Sequence, residues 1–282
     1  MATTVSMINM KGGVGKTTLA FNFAWHAAWA KNHKVLAVDL DPQANLSQYF
    51  MGSPNYLEYI TAGKPTVVEI FEQFSPPTAA HKSPTPIQPS KLVQHLRKWD
   101  DGSLLDLVPS RLELAWTLKN PTEKAHLLPK FLAKLQDQYD LIIIDCAPTE
   151  SILTTAAYLS SRYIVVPVKP EFLATIGLPL LARSLQEHKI SRENQQIDLA
   201  GIVFSDADPQ HVKPEHKRSR RDVGVIAKDN GWVIFDNEAR HSDSYSAGAR
   251  AGRPIFGTKY ARDYVKQEFA LVGDEFLAKV GL

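Results

Sequence analysis

The sequence predicts an α/β fold with a doubly wound, mostly parallel sheet and helices on both faces. Apolar strand-like runs alternate with helical stretches, which is the βαβ rhythm of a parallel sheet. A glycine-rich loop joins the first run to the first helix, and two later runs end in aspartates. The 282 residues are predicted to form one domain spanning 1–282. We expect strands at roughly residues 3–8, 35–39, 104–108, 141–145, 163–168, 199–204 and 232–235.

The glycine-rich loop predicts a nucleotide site. A glycine loop between a strand and a helix points backbone N–H groups and a helix N-terminus at a phosphate. Lys16 is expected to reach the β- and γ-phosphates, and the Thr17 hydroxyl to hold Mg²⁺. Met10 stands where the strict phosphate-loop pattern has glycine, and Lys11 adds a second lysine. The expected nucleotide-binding residues of the loop are Lys11, Gly12, Gly13, Val14, Gly15, Lys16, Thr17 and Thr18.

Two buried-strand runs end in acids that suit a metal site. One run ends in Asp39 and Asp41, and the other ends in Asp145. An aspartate at the carboxyl end of a parallel strand lies at the edge where such sheets bind ligands. Asp145 is therefore expected to hold the metal's shell from the side opposite Thr17. The alternative for each run is plain core that ends in a solvated acid.

These motifs together resemble the ParA/MinD family of P-loop ATPases. The similarity spans nearly the whole chain, and it is closer to the ParA partition branch than to the MinD branch. The segments that resemble the deviant Walker A, A′ and B motifs are Lys11-Gly12-Gly13-Val14-Gly15-Lys16-Thr17-Thr18, Asp39-Leu40-Asp41-Pro42-Gln43 and Ile143-Ile144-Asp145-Cys146-Ala147-Pro148.

The resemblance implies roles for individual residues. Lys11 matches the signature lysine, which crosses to the partner subunit's nucleotide when two ATP-bound protomers pair. Asp41 matches the residue that orients the attacking water, and Asp39 is expected near the metal's outer shell. The implied catalytic set is Lys11, Lys16 and Asp41, and the implied metal set is Thr17, Asp39 and Asp145. The alternatives are a solvated loop lysine at Lys11 and an N-cap at Asp41.

A basic cluster predicts a DNA-binding surface. Between His211 and Arg221 the chain has five lysines or arginines against a single acid, Glu215. Phosphate contacts by such a cluster give sequence-independent, salt-sensitive DNA binding. The alternative is a solvated helix face. With the resemblance, the expected DNA-binding residues are Lys217, Arg218, Arg220, Arg221 and Arg250.

Two further segments carry weaker expectations. By similarity to the family, Asp206 is expected near the adenine base, and a solvated loop acid is the alternative. Five prolines between Ser75 and Pro89 predict an exposed excursion, around residues 75–90, in the form of a spacer loop or a partner-docking segment.

Composition limits the function classes. The net charge of +2 means that attraction to DNA has to come from a local patch. The single cysteine, Cys146, excludes an intrachain disulfide and suits a reducing cytoplasm. The resemblance implies a cytoplasmic, nucleoid-associated ATPase with ATP and Mg²⁺ as cofactors and slow intrinsic turnover. It also implies a homodimer on ATP binding, non-specific DNA as a partner, and a ParB-like adaptor that stimulates hydrolysis.

Two other functions stay open at this point. A membrane-cycling ATPase of the MinD type ends in a basic amphipathic helix at the bilayer interface. The tail from Tyr260 to Leu282 mixes acids with few lysines, so we expect it to pack on its own domain without stable membrane association. A metabolic phosphoryl-transfer enzyme on the same scaffold is the third candidate.

Overall fold

A computed structural model describes residues 1–72, 86–118, 124–171, 174–191, 195–207 and 213–282. Residues 75–85 of the proline-rich excursion expected around residues 75–90 lie outside this description. The strands of the described chain are β1 (Thr3–Met7), β2 (Lys34–Leu40), β3 (Gln94–Lys98), β4 (Leu104–Val108), β5 (Leu141–Cys146), β6 (Tyr163–Val168), β7 (Asp198–Ala207) and β8 (Ala239–Arg240).

These strands form one sheet in the order β3-β4-β2-β5-β1-β6-β7-β8. The pairing is parallel throughout except at the edge, where β3 runs antiparallel to β4. The central strands are buried on both faces, which explains their runs of β-branched residues. The predicted doubly wound parallel sheet is confirmed.

Helices cover both faces of this sheet. They are α1 (Lys16–Trp25), α2 (Asn45–Met51), α3 (Ser53–Thr61), α4 (Val68–Phe71), α5 (Pro89–Leu92), α6 (Leu114–Thr117), α7 (Leu127–Leu132), α8 (Ile152–Ser160), α9 (Ala174–Ser191), α10 (Pro214–Asp229), α11 (Asp243–Arg250) and α12 (Asp263–Lys279). A π-helical turn, His26–Ala30, continues α1.

Alternate residues of the central strands pack into two separate cores. In β2, Leu36 and Val38 join the core beneath α7 to α10, whereas Val35 and Ala37 join the core beneath α1 and α12. On the second face, Phe23 of α1 stacks on Phe276 of α12 with ring centroids 4.3 Å apart. This period-2 alternation fixes which helices lie on which face.

The C-terminal tail packs on the domain as expected. The apolar residues of α12 are buried against α1 and the sheet, and they include Val265, Phe269, Val272, Phe276 and Leu277. The apolar face that a membrane-binding helix would present to lipid is therefore already used in the core.

The strand prediction requires correction at both edges of the sheet. The prediction of a strand at residues 232–235 is wrong, because this segment makes only an isolated bridge between Ile234 and Ile202. The sheet ends instead with the two-residue strand β8. There the Phe235 ring lies so close to Gly201 that an added Cβ would be 2.7 Å from it. Strand β3 was not predicted either. Its largely polar run is typical of an edge strand, where charged side chains discourage further pairing.

Candidate active site

The glycine-rich loop connects β1 to α1 at the carboxyl edge of the sheet. Gly13 and Gly15 have φ values of +73° and +82°, a left-handed conformation that glycine adopts without steric cost. A Cβ added at Gly15 would lie 3.2 Å from Ser205 at the end of β7. The Ser205 hydroxyl donates a 2.6 Å hydrogen bond to the Val14 carbonyl. The loop is thus held in shape by a residue that the sequence analysis did not single out.

Lys16 lies buried beneath the loop. Its ammonium donates to the carbonyls of Asn9 and Lys11 at 3.1 and 2.9 Å. Burial lowers the pKa of Lys16, and the nearby charges of Asp145 and Asp41 oppose that shift. A buried cation favours an incoming anion, because the opposite charge offsets the hydration that the ammonium loses on burial. This geometry suits the expected contact with the β- and γ-phosphates.

Asn9 orients the front of the loop and was also missed. The buried Asn9 amide donates to the Pro167 carbonyl at 2.7 Å, and its side-chain oxygen accepts from the Lys11 N–H at 2.9 Å. The side chain therefore ties the loop to β6. Its signal in the sequence was a lone polar residue directly after an apolar strand.

Asp145 is a buried carboxyl without hydrogen-bond partners. Neither oxygen has a partner among the described residues, although the side chain is almost wholly buried. Burial, and next the charge of Asp39 opposite it on β2, raise the pKa of Asp145 well above its usual range. The Thr17 hydroxyl lies near enough to oppose this rise, but no hydrogen bond of normal geometry joins the two groups. An orphaned buried carboxyl beside a threonine hydroxyl fits a cation between them.

Asp39 is buried but directed at α2. One of its oxygens accepts hydrogen bonds from the Ser47 N–H and hydroxyl at 2.8 and 2.7 Å, and the other accepts from the Asp41 N–H at 3.2 Å. Burial raises the pKa of Asp39 to about 7. The structure thus places Asp39 behind Asp41 as an anchor for α2. Ser47, which sequence reasoning missed, supplies that anchor.

Asp41 lies at the rim of the site and is 8% exposed. One carboxylate oxygen accepts from the Gln43 N–H at 2.9 Å, which forms a local turn after β2. The helix α2 begins two residues further on, after Ala44 in a left-handed conformation with φ +54°. Asp41 therefore shapes its own turn and does not cap α2 directly, and it faces the cavity described next.

A cavity of about 530 Å³ opens between the loop and the end of β8. This volume is in the range of small-molecule sites. The expected residues that line it are Gly12, Gly13, Gly15, Lys16, Thr17, Thr18, Asp41 and Asp206. Lys11, Val14, Asp39 and Asp145 are not lining residues: Val14, Asp39 and Asp145 are buried, and the Lys11 ammonium pairs with Glu171 at 3.2 Å.

The described residues fit Mg²⁺ when a phosphate ligand accompanies it. No three His, Cys, Asp or Glu side chains converge on a metal position in the part of the chain that is described. Mg²⁺ is typically held by one or two protein oxygens together with waters and substrate phosphates. Thr17 and Asp145 are the residues that would hold it here.

The expected DNA-binding residues lie on two helices and differ in exposure. Lys217, Arg218 and Arg221 are exposed on α10. Arg220 turns inward, where it pairs with Glu238 through both terminal nitrogens and stacks 4.7 Å from the Phe204 ring. Arg250 is exposed at the end of α11, near α2 and away from the face that α10 covers.

Known proteins with similar sequences include a partitioning ATPase and a ParA family protein, as the motifs predict. Residues 2–199 match the family model described as an AAA domain. The chromosome-partitioning ATPase Soj of Treponema pallidum is 30% identical over 256 residues, which cover 90% of this chain and 89% of that protein. A ParA family protein of Chlamydia trachomatis serovar D is 26% identical, with 93% of this chain and 94% of that protein covered.

Solved structures with the same fold cover nearly the whole chain. An ATP complex of a variant McdA from Cyanothece superposes with a TM-score of 0.75 at 20% identity, over 100% of this chain and 97% of that one. A putative plasmid partition protein from Borrelia burgdorferi B31 bound to AMPPNP gives 0.71 at 22% identity, over 99% and 100%. At these identities the likeness establishes the fold.

No helix in the described residues has the length and apolar character needed to cross a bilayer.

Proposed function

From the premise that this chain belongs to the ParA/MinD family of P-loop ATPases, we propose that it is a partition or positioning ATPase of the ParA branch. In this proposal, ATP joins two protomers face to face, the dimer holds DNA without sequence preference, and an adaptor protein triggers hydrolysis and release. The cargo is a plasmid, a chromosome region or another large assembly.

The observation that carries the proposal is the placement of the two loop lysines. Lys16 lies under the loop and lines the cavity, whereas Lys11 points away to Glu171 and does not line it. A lysine that avoids its own nucleotide site, yet sits at the front of the phosphate loop, is available to a nucleotide held by a second copy. ATP hydrolysis depends mostly on positioning and charge neutralisation, so a second lysine from the partner has a direct use.

The remaining site residues complete the proposed chemistry. Asp41, at the rim of the cavity, orients the attacking water, and Lys16 binds the transferred phosphoryl group. Mg²⁺ held near Thr17 and Asp145 supplies charge neutralisation at the β- and γ-phosphates when it is bound. The buried Asp39 fixes the strand end from which Asp41 projects.

The proposal is tested by self-association with Lys11→Gln. We expect the wild-type chain to dimerise with Mg²⁺ and a non-hydrolysable ATP analogue but not with ADP, as measured by light scattering after gel filtration. Lys11→Gln is expected to bind the analogue with similar affinity and remain monomeric. Lys16→Gln is the matched control, since it should lose nucleotide binding itself. Normal dimerisation of Lys11→Gln, or ATPase activity raised by a metabolite and not by DNA, would contradict the proposal.

A further inference from the structure

Four charged side chains and one histidine form a continuous set of contacts from the loop to the far end of the cavity, which we call the charge chain. Lys11 Nζ lies 3.2 Å from Glu171 Oε2, and Lys169 Nζ lies 2.8 Å from Glu171 Oε1. Lys169 Nζ also lies 2.7 Å from Asp206 Oδ2, and the other oxygen of Asp206 contacts the His241 ring. Ammonium and carboxylate groups alternate from Lys11 to Asp206.

The inner members of the charge chain are shared between competing partners. Glu171 bridges two ammonium groups, and Lys169 bridges two carboxylates. Hydrogen bonds from Lys169, and next from Lys11, lower the pKa of Glu171. The contact of Glu171 with Lys169 is 0.4 Å shorter than its contact with Lys11, so Lys11 is the more loosely held of the two ammonium groups.

The two ends of the charge chain differ in access to the cavity. Asp206 and His241 line it, whereas Lys11, Lys169 and Glu171 do not. Asp206 also has φ +52°, a conformation that residues other than glycine adopt rarely and keep only when their surroundings hold them. A ligand at this end of the cavity therefore meets a carboxylate on a strained backbone. One of its oxygens contacts Lys169 and the other contacts His241.

We propose that Lys169 is a positioning residue that links occupation of the Asp206 end of the cavity to the release of Lys11. A ligand donor that hydrogen-bonds Asp206 frees Lys169 to pair fully with Glu171, and Glu171 then gives up Lys11. The side chains of Lys11, Lys169, Asp206 and Glu171 are 21–40% exposed, and ion pairs of this exposure change an equilibrium by at most about fivefold. The charge chain thus biases Lys11 and does not lock it. The use made of the freed lysine rests on the proposed function.

The test measures Lys11 itself in monomeric protein. Trace acylation of amines followed by mass spectrometry gives the relative reactivity of Lys11 without nucleotide, with ADP, and with pyrophosphate, which fills the loop but not the Asp206 end. We expect ADP to raise Lys11 reactivity about two- to fivefold in the wild type and pyrophosphate to leave it unchanged. In Lys169→Gln, ADP should have no effect, and in Glu171→Gln reactivity should be high in all three states.

Saturation of each variant by each ligand is verified by calorimetry, so a missing response is not a missing ligand. Glu187→Gln is the matched control, because it breaks an exposed ion pair with Arg183 on α9 away from the cavity. It should respond like the wild type. The proposal is overturned if Lys169→Gln responds to ADP as the wild type does, or if pyrophosphate alone releases Lys11. Because the measurement needs no dimer, it stands or falls separately from the self-association of the chain.

Discussion

At the scale of single residues, the two buried aspartates of the site have different surroundings and so different uses. Asp39 receives three hydrogen bonds from protein donors, whereas Asp145 receives none from the described residues. The first carboxyl is satisfied by folding alone. The second is left for a ligand, which is the pattern expected when one acid supports the structure and the other supports a metal.

Asp41 is the residue on which hydrolysis should depend. Asp41→Ala is expected to bind ATP within about threefold of the wild type but to lose hydrolysis by about 10²- to 10⁴-fold, the range for a positioned proton acceptor. Calorimetry measures the binding, and single-turnover hydrolysis measures the chemistry.

The turn made by Asp41 provides its own control. Asp41→Asn keeps an oxygen for the Gln43 N–H and so preserves the turn, but it removes the negative charge. If the asparagine variant hydrolyses ATP normally and the alanine variant does not, the role of Asp41 is in the turn and not in the reaction.

The buried Asp39 predicts a pH dependence of stability. Its pKa in the folded protein is raised to about 7, above the value near 4 in the unfolded chain. Between these two pKa values the folded state keeps a proton on Asp39 that the unfolded state releases. The stability that Asp39 contributes is therefore fully present below pH 4 and is lost as the pH rises through 7. Without nucleotide and Mg²⁺, the wild type should lose up to about 4 kcal/mol more than Asp39→Asn across this window, by urea unfolding. Glu187→Gln should keep the wild-type dependence, and an equal dependence in Asp39→Asn would contradict the prediction.

Also at the scale of residues, the sequence was sufficient to predict a site residue wherever that residue belongs to a local motif. The loop, Asp41 and Asp145 follow from neighbours along the chain, and the structure brings them to one edge of the sheet. Asn9 and Ser205 could not be identified in this way. Their partners are Pro167 and Val14, which lie 158 and 191 positions away and become neighbours only after the sheet is assembled.

At the scale of elements, α10 shows how a charge cluster divides on folding. A helix places successive residues about 100° apart, so Lys217, Arg218 and Arg221 reach solvent while Arg220 faces Glu238. Composition predicts that such a cluster is basic, but the direction of each side chain depends on the acid and the ring that meet it. Arg220 could therefore not be distinguished from its exposed neighbours in the sequence.

This division predicts two kinds of variant on α10. Lys217→Ala should reduce the magnitude of the slope of log K against log salt by about 1 for each protomer bound to the duplex, because each protomer loses one phosphate contact. Arg220→Ala should leave that slope nearly unchanged and lower the melting temperature, since Glu238 is left without its partner. Fluorescence anisotropy on a mixed-sequence duplex at several salt concentrations, with thermal unfolding in parallel, distinguishes the two. A slope change at Arg220 with unchanged stability would reverse the assignment.

For the C-terminal helix α12, the periodicity of apolar residues was enough to predict that the helix packs on its own domain. The apolar residues of α12 recur at helical spacing, and the structure buries them against the ring of Phe23 and the sheet. The short edge strands β3 and β8 were harder, because a polar or two-residue strand carries no alternating apolar pattern. A buried element can be predicted because burial requires a periodic pattern of apolar residues, and the edge strands bury too few residues to have one.

At the scale of the whole molecule, the exposed basic residues bear on why DNA binding should need two copies. One protomer offers Lys217, Arg218 and Arg221 on α10, while Arg250 lies on a different helix, at the end of α11. Three phosphate contacts give weak binding at physiological salt. A dimer that presents two α10 helices to one duplex converts the second set of contacts into an intramolecular event.

The salt dependence of DNA binding should therefore report the dimer. With the ATP analogue, the wild type is expected to show a slope of log K against log salt of about −5, for six phosphate contacts on two protomers. Lys11→Gln, which should bind the analogue as a monomer, is expected to show a slope of about −3 and weaker binding at every salt concentration. Both slopes come from anisotropy titrations on the same duplex, with the dimer fraction measured by light scattering. Equal slopes for the dimer and the monomeric variant would mean that pairing does not bring the two α10 helices onto one duplex, and DNA retention would then need another surface.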